Sequence, residues 1–158
     1  MRRFLKFLHV TSGAMMIGGL AAYMIALINA PDIQTLSEFT TLRVALDQVV
    51  SWLLLPGVVI AIASGLLAMA FHWPYQDAPW VWCKILTGLP LFEATFMALD
   101  GPSGKTAAAA VRASAGEIDL DQLAALVHDA WGAWWLILGL AIVNVALAIW
   151  RPRFGLKR

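Results

Sequence analysis

The stretch KFLHVTSGAMMIGGLAAY, residues 6–23, decides the fold, because it opens a long apolar run and carries an ionisable imidazole, His9, inside it. At helical spacing His9, Ser12, Gly13, Met16, Gly19, Leu20 and Tyr23 share one face, whereas Leu8, Met15, Ala22 and Ile25 share another. The mixed face is expected to look inward. Gly13 and Gly19 would let a neighbouring helix or a flat ligand come close to the backbone, which is how helices associate when lipid is the solvent. An imidazole in hydrocarbon is costly, so His9 reads as a functional group whose partner lies elsewhere in the chain.

Outward from that stretch the composition agrees. The 158 residues are 61% hydrophobic and 13% charged, too apolar for an ordinary soluble domain and too few for two domains. A net charge of +1 provides no basic field for nucleic acid. One cysteine, Cys83, excludes an intramolecular disulfide and any multi-cysteine metal motif. The basic start before a long apolar run resembles a signal peptide. That run exceeds the apolar core of such a peptide, and Ile28 is too large for the cleavage pattern around Ala30, so a retained span is expected.

Four segments are long enough to cross a bilayer as helices, about 4–28, 46–71, 79–99 and 123–150, and they predict an all-α, four-helix transmembrane bundle forming one domain over 1–158. Residues 32–43 read as a loop or a short amphipathic turn, with Asp47 and Gln48 capping the second span. Pro56-Gly57 predicts a kink. Residues 100–122 form an outer loop that contains a surface helix from about 105, with a capped helix start near Asp119 or Asp121.

Cationic residues set the orientation. Arg2, Arg3, Lys6, Lys84, Arg151, Arg153, Lys157 and Arg158 fall on one side of four alternating spans, and only Arg43, Lys105 and Arg112 on the other. Both termini are therefore expected in the cytoplasm. Trp73, Trp80, Trp82 and Trp150 then form an inner aromatic belt, and Trp52, Trp131, Trp134 and Trp135 an outer one.

This topology gathers His9, Lys84 and His72 toward the cytoplasmic half, with His128 and Asp129 at the opposite rim. At about 1.5 Å per residue, His9 and Lys84 both lie roughly 7 Å inside the inner interface. One interpretation is a b-type haem with His9 as an axial nitrogen, Lys84 meeting a propionate and His72 as a second candidate metal ligand. Met16, two turns from His9 on the same face, would then be a pocket wall. The plainer interpretation has His9 bonded to a carbonyl, Lys84 reaching for the headgroups and His72 resting at the interface. Glu93, near the middle of the third span and about two and a half turns from Lys84, is expected to be buried. It would either bond Asn144 or Ser64, or act in catalysis as a proton relay or quinone contact.

The motifs KFLH (6–9), GGL (18–20), Pro56 with SGL (64–66), WVWCK (80–84) and RPRF (151–154) resemble, in order and spacing, the CopD/HemJ-like superfamily of small bacterial integral-membrane proteins. The likeness is nearest to a branch without assigned function and covers nearly the whole chain. In the HemJ-type oxidases the first-span histidine and third-span lysine are implicated in haem binding and activity, and the resemblance carries those roles onto His9 and Lys84. AAYMIA (21–26) lacks the basic and histidine residues of those oxidases, and LFEAT (91–95) stands where they have a Tyr-His pair. The resemblance thus implies a haem pocket more than porphyrinogen oxidation.

Three functions follow as expectations. The first is electron transfer or membrane redox chemistry through one haem b, with quinone as a redox partner. The second is a cofactor-free accessory or assembly subunit of a membrane complex, with other membrane subunits or a homo-oligomer as partners. The third is a transporter of copper or another small solute. The third is the weakest, because Met15, Met16, Met24, Met69 and Met97 make no regular ladder.

Overall fold

The computed structural model describes residues 2–97, 101–127 and 131–152, and every regular element among them is helical. The order is α1 (Arg2–Ile28), α2 (Leu36–Val49), a π-helical turn (Val50–Leu54), α3 (Leu55–Ala70), α4 (Trp73–Gln76), α5 (Pro79–Thr95), α6 (Gly101–Ser114), α7 (Leu120–Leu126) and α8 (Trp131–Trp150). Three stretches among the described residues are long and apolar enough to cross a membrane: Arg3–Ile28, Leu36–Ala70 and Leu120–Trp150. They are compatible with a multi-pass membrane protein. The third expected span, α5, has 17 residues, about 25 Å of helix, just short of a full hydrocarbon crossing.

α1 behaves as its sequence predicts: Ser12, Met16, Gly19, Leu20 and Tyr23 are buried and Ala22 and Ile25 exposed. Its chief neighbour is α3, and the close approach is made at glycines. A Cβ at Gly57 would stand 3.3 Å from the carbonyl oxygen of Ser12, and one at Gly19 would stand 3.0 Å from Leu54. Gly13 is different, since a Cβ there would meet nothing within 4 Å. α5 packs mainly on α8, and the two pairs join through one core that includes Leu20, Tyr23, Leu54, Val58, Leu91, Trp134 and Ile137.

Two expectations about the second span are corrected. Within the stretch 32–43 expected as a loop or a short amphipathic turn, residues 36–43 belong to a helix that runs straight on into the span, because Phe39 and Leu46 give it an apolar face and α6 supplies a partner for it. Asp47 and Gln48 consequently lie inside a helix and do not stand at the start of the second span. The expected disturbance at Pro56 takes the form of a π-helical turn, in which the Leu55 N–H reaches back five residues to the Val50 carbonyl. A widened turn just before a proline absorbs its missing donor and the clash of its ring with the preceding turn.

The stretch between α5 and α8 is more structured than a loop. α6 begins at Gly101 rather than near 105, and its Ala109, Ala110 and Ala113 are buried with Phe39 and Leu123 in a second, smaller core. Small alanines let α2 come close, and Thr40 Oγ1 donates to the Ala110 carbonyl at 3.2 Å. The turn that follows α6 holds Gly116, whose φ of 76° is readily adopted by glycine. The expected cap is at Asp119, in a reciprocal capping box with Gln122.

Candidate functional site

The site is built from one residue of α1 outward. Nδ1 of His9 lies 2.7 Å from the carbonyl oxygen of Ala61 on α3. A carbonyl can only accept, so Nδ1 carries the hydrogen and donates it. Ser64 Oγ stands 3.4 Å from the same nitrogen while donating to the Ile60 carbonyl at 2.6 Å. The imidazole rests against α3 because residue 65 is glycine: a Cβ there would come within 3.2 Å of the His9 Cε1 atom. On the far side of the ring Lys84 Nζ, from α5, stands 3.4 Å from Nε2. With Nδ1 as donor, Nε2 presents a lone pair, and the lysine head donates to it.

α8 closes the cluster. Asn144 Nδ2 donates to the carbonyl oxygen of Lys84 at 2.9 Å and to Thr87 Oγ1 at 2.8 Å. Thr87 Oγ1 in turn donates to the Cys83 carbonyl at 3.0 Å. Side chains or backbone of α1, α3, α5 and α8 thus meet, and His9, Ala61, Ser64, Lys84, Thr87 and Asn144 are half-buried or buried. In a medium without water such a network is the means by which polar groups avoid being left unpaired.

The expected meeting of His9 and Lys84 is therefore present as a direct contact. The other residues singled out in the sequence lie elsewhere. Met16 is buried between α1 and α3, its Cβ 3.4 Å from where a Cβ of Gly57 would sit, so it belongs to the packed core. His72 precedes α4 and packs edge-on against Tyr75, which packs edge-on against Trp80; the guanidinium of Arg151 lies over the Trp80 ring. The Nδ1 atom of His72 is buried and has no hydrogen-bond partner among the described residues. His128 and Asp129 lie outside the described residues.

Glu93 corrects the sequence reading: it is exposed, on the side of α5 that also carries Leu86, Leu89, Pro90 and Met97. The inward positions of that helix are Val81, Leu91 and Thr95, with Lys84 and Thr87 half-buried, and Glu93 is out of phase with them. Its two expected partners, Asn144 and Ser64, make the bonds given above. Trp134 is also reassigned. It is not in an outer belt but buried, its ring stacked on Tyr23 with centroids 4.0 Å apart.

Two participants were not anticipated in these roles, Gly65 and Asn144. The signal for the second was in the sequence, as an amide in an otherwise apolar 20-residue helix. Among the described residues no three His, Cys, Asp or Glu side chains gather so as to hold a metal ion. Comparison of the chain with protein-family models, curated proteins and solved structures gives no match.

Proposed function

We propose that this chain is a four-span bundle of the bacterial inner membrane, in the manner of the CopD/HemJ-like proteins it resembles, that holds one b-type haem on His9 and serves membrane electron transfer. The single observation that carries the reading is the state of the His9 ring. A histidine bound to a metal through one nitrogen commonly donates its other N–H to a carbonyl or carboxylate, which fixes tautomer and orientation. His9 has that arrangement, with Nδ1–H on Ala61 and a lone pair at Nε2. Gly13, one turn further along the same face, has open space where a side chain would be, which suits a flat ligand.

The residues fit such a group on one condition, that Lys84 gives way. Its Nζ now occupies the approach to Nε2, but it ends a flexible four-carbon stem and could turn to a propionate carboxylate instead. His72, with its unpartnered Nδ1, is the candidate for a second nitrogen. The haem would supply one-electron chemistry; the chain orients His9, excludes water with its surrounding helices and presents Lys84 as a counter-charge. Glu93, facing outward from α5, is better disposed to meet a lipid-dissolved quinone than to relay protons through the bundle. α5 would act as the fourth span with Phe96 and Met97, which carry its 17 residues on by a π-helical turn.

A specific observation favours a second reading. His9 and Lys84 already satisfy one another, so the cluster could serve as a polar latch in a cofactor-free accessory subunit. Haem content separates the two. Protein purified from haem-replete cells should carry close to one haem per chain by pyridine haemochromogen assay, and a colourless preparation selects the latch. A reporter fused after Arg158 should be active only in the cytoplasm; periplasmic activity would reverse the orientation.

A further inference from the structure

We propose that Asn144 is the positioning residue of this site: by holding the Lys84 backbone and Thr87 from α8, it sets where the lysine head meets His9 Nε2. The inference goes beyond the haem reading and does not rest on it, since the contacts concerned lie within the haem-free chain.

The geometry is direct. Asn144 gives both amide hydrogens to one turn of α5, at 2.9 Å to the Lys84 carbonyl and 2.8 Å to Thr87 Oγ1. The Thr87 hydroxyl can accept because its own hydrogen goes to the Cys83 carbonyl. Asn144 also packs beside Gly88, on the following position, where a Cβ would lie 3.7 Å from its nitrogen in ordinary contact. The amide therefore fixes α5 against α8 in both rotation and height at the residue whose side chain crosses to α1. Lys84 reaches His9 through four methylenes, so its head can be placed only as well as its Cα is placed. On the opposite side the ring is held independently, by Ala61, Ser64 and Gly65 of α3. Each half of the Lys84–His9 contact thus has its own support, and Asn144 supports the lysine half alone.

That division gives a readout which a merely structural role would not move. In the full-length chain in its haem-free form, labelled with ¹⁵N-histidine and held in lipid nanodiscs, His9→Ala identifies the two ring signals of His9. Lys84→Met gives the Nε2 position when no lysine donates to it. Asn144→Leu and Asn144→Ala should carry the Nε2 signal most of the way to that position and leave Nδ1 where it is. An Nε2 signal unmoved in both variants overturns the proposal, and so does equal displacement of both nitrogens. Should neither variant fold, the unaltered chain decides: with ¹⁵N in asparagine side chains and ¹³C in lysine carbonyls, a dipolar contact between Asn144 and Lys84 must appear, and its absence refutes the assignment. If the purified protein carries haem, the same variants should shift its midpoint potential in the direction that Lys84→Met does, and no shift counts against Asn144. A colourless protein would remove the haem reading while leaving the nitrogen measurement able to decide.

Discussion

The two ends of α1 are held in opposite ways. Around Tyr23 the contact is apolar and filled: Leu20, Leu54 and Ile137 are almost wholly inaccessible, and Tyr23 stacks on Trp134. Around His9 it is polar and directional, a chain of hydrogen bonds from Ala61 through the imidazole to Lys84, with open space beside Gly13. A filled contact gains its energy from close packing and loses it when atoms are removed. A directional contact gains less, but it dictates which nitrogen of which ring faces which neighbour. The contrast assigns stability to one end of the helix and chemistry to the other.

The largest effect that would sharpen this contrast is expected at the packed end. Trp134→Ala should cost about 3–5 kcal/mol of stability, the range for deleting a buried aromatic, read as a lowered midpoint of denaturant unfolding. A loss below about 1 kcal/mol would show that the stack with Tyr23 carries little. Next comes Gly65→Leu, which drives a side chain into the space of the His9 ring and should cost about 1–3 kcal/mol while abolishing bound haem. Haem retained in that variant would break the link between α3 and the imidazole. Lys84→Met removes one interhelical hydrogen bond, worth about 0.6–1.7 kcal/mol in such bundles, and should change the redox midpoint. The smallest expected change in stability is from Gly13→Ala, a gain of at most about 1 kcal/mol, because a Cβ there meets nothing within 4 Å. Its haem content should fall nonetheless, and full occupancy would mean the space beside Gly13 is not the ligand's.

Much of this arrangement was legible in the sequence, for a reason visible at His9. An imidazole and an ammonium inside apolar runs are expensive enough to demand partners, and the alternation of spans brought the two to the same level. The inward face of α1 followed from the period of its small and polar residues. Glu93 was harder to place. α5 is apolar nearly all round, so periodicity gives no inward face, and a lone carboxylate in such a run invites burial although it here points out. α2 was missed because Ser37, Glu38, Thr40 and Thr41 read as loop until α6 is seen lying along them, its alanines too bland to announce a partner. Trp134 shows the limit of composition, since a tryptophan near a span end fits a belt and a core equally well until the ring of Tyr23 is found against it.

The central claim is that His9 offers Nε2 to a haem iron, and replacing the ring with a free one tests it most directly. His9→Gly protein, purified from haem-replete cells, should lack a Soret band and regain it when imidazole and haemin are supplied together. A Soret band of unchanged height and position in His9→Gly without imidazole would contradict the account.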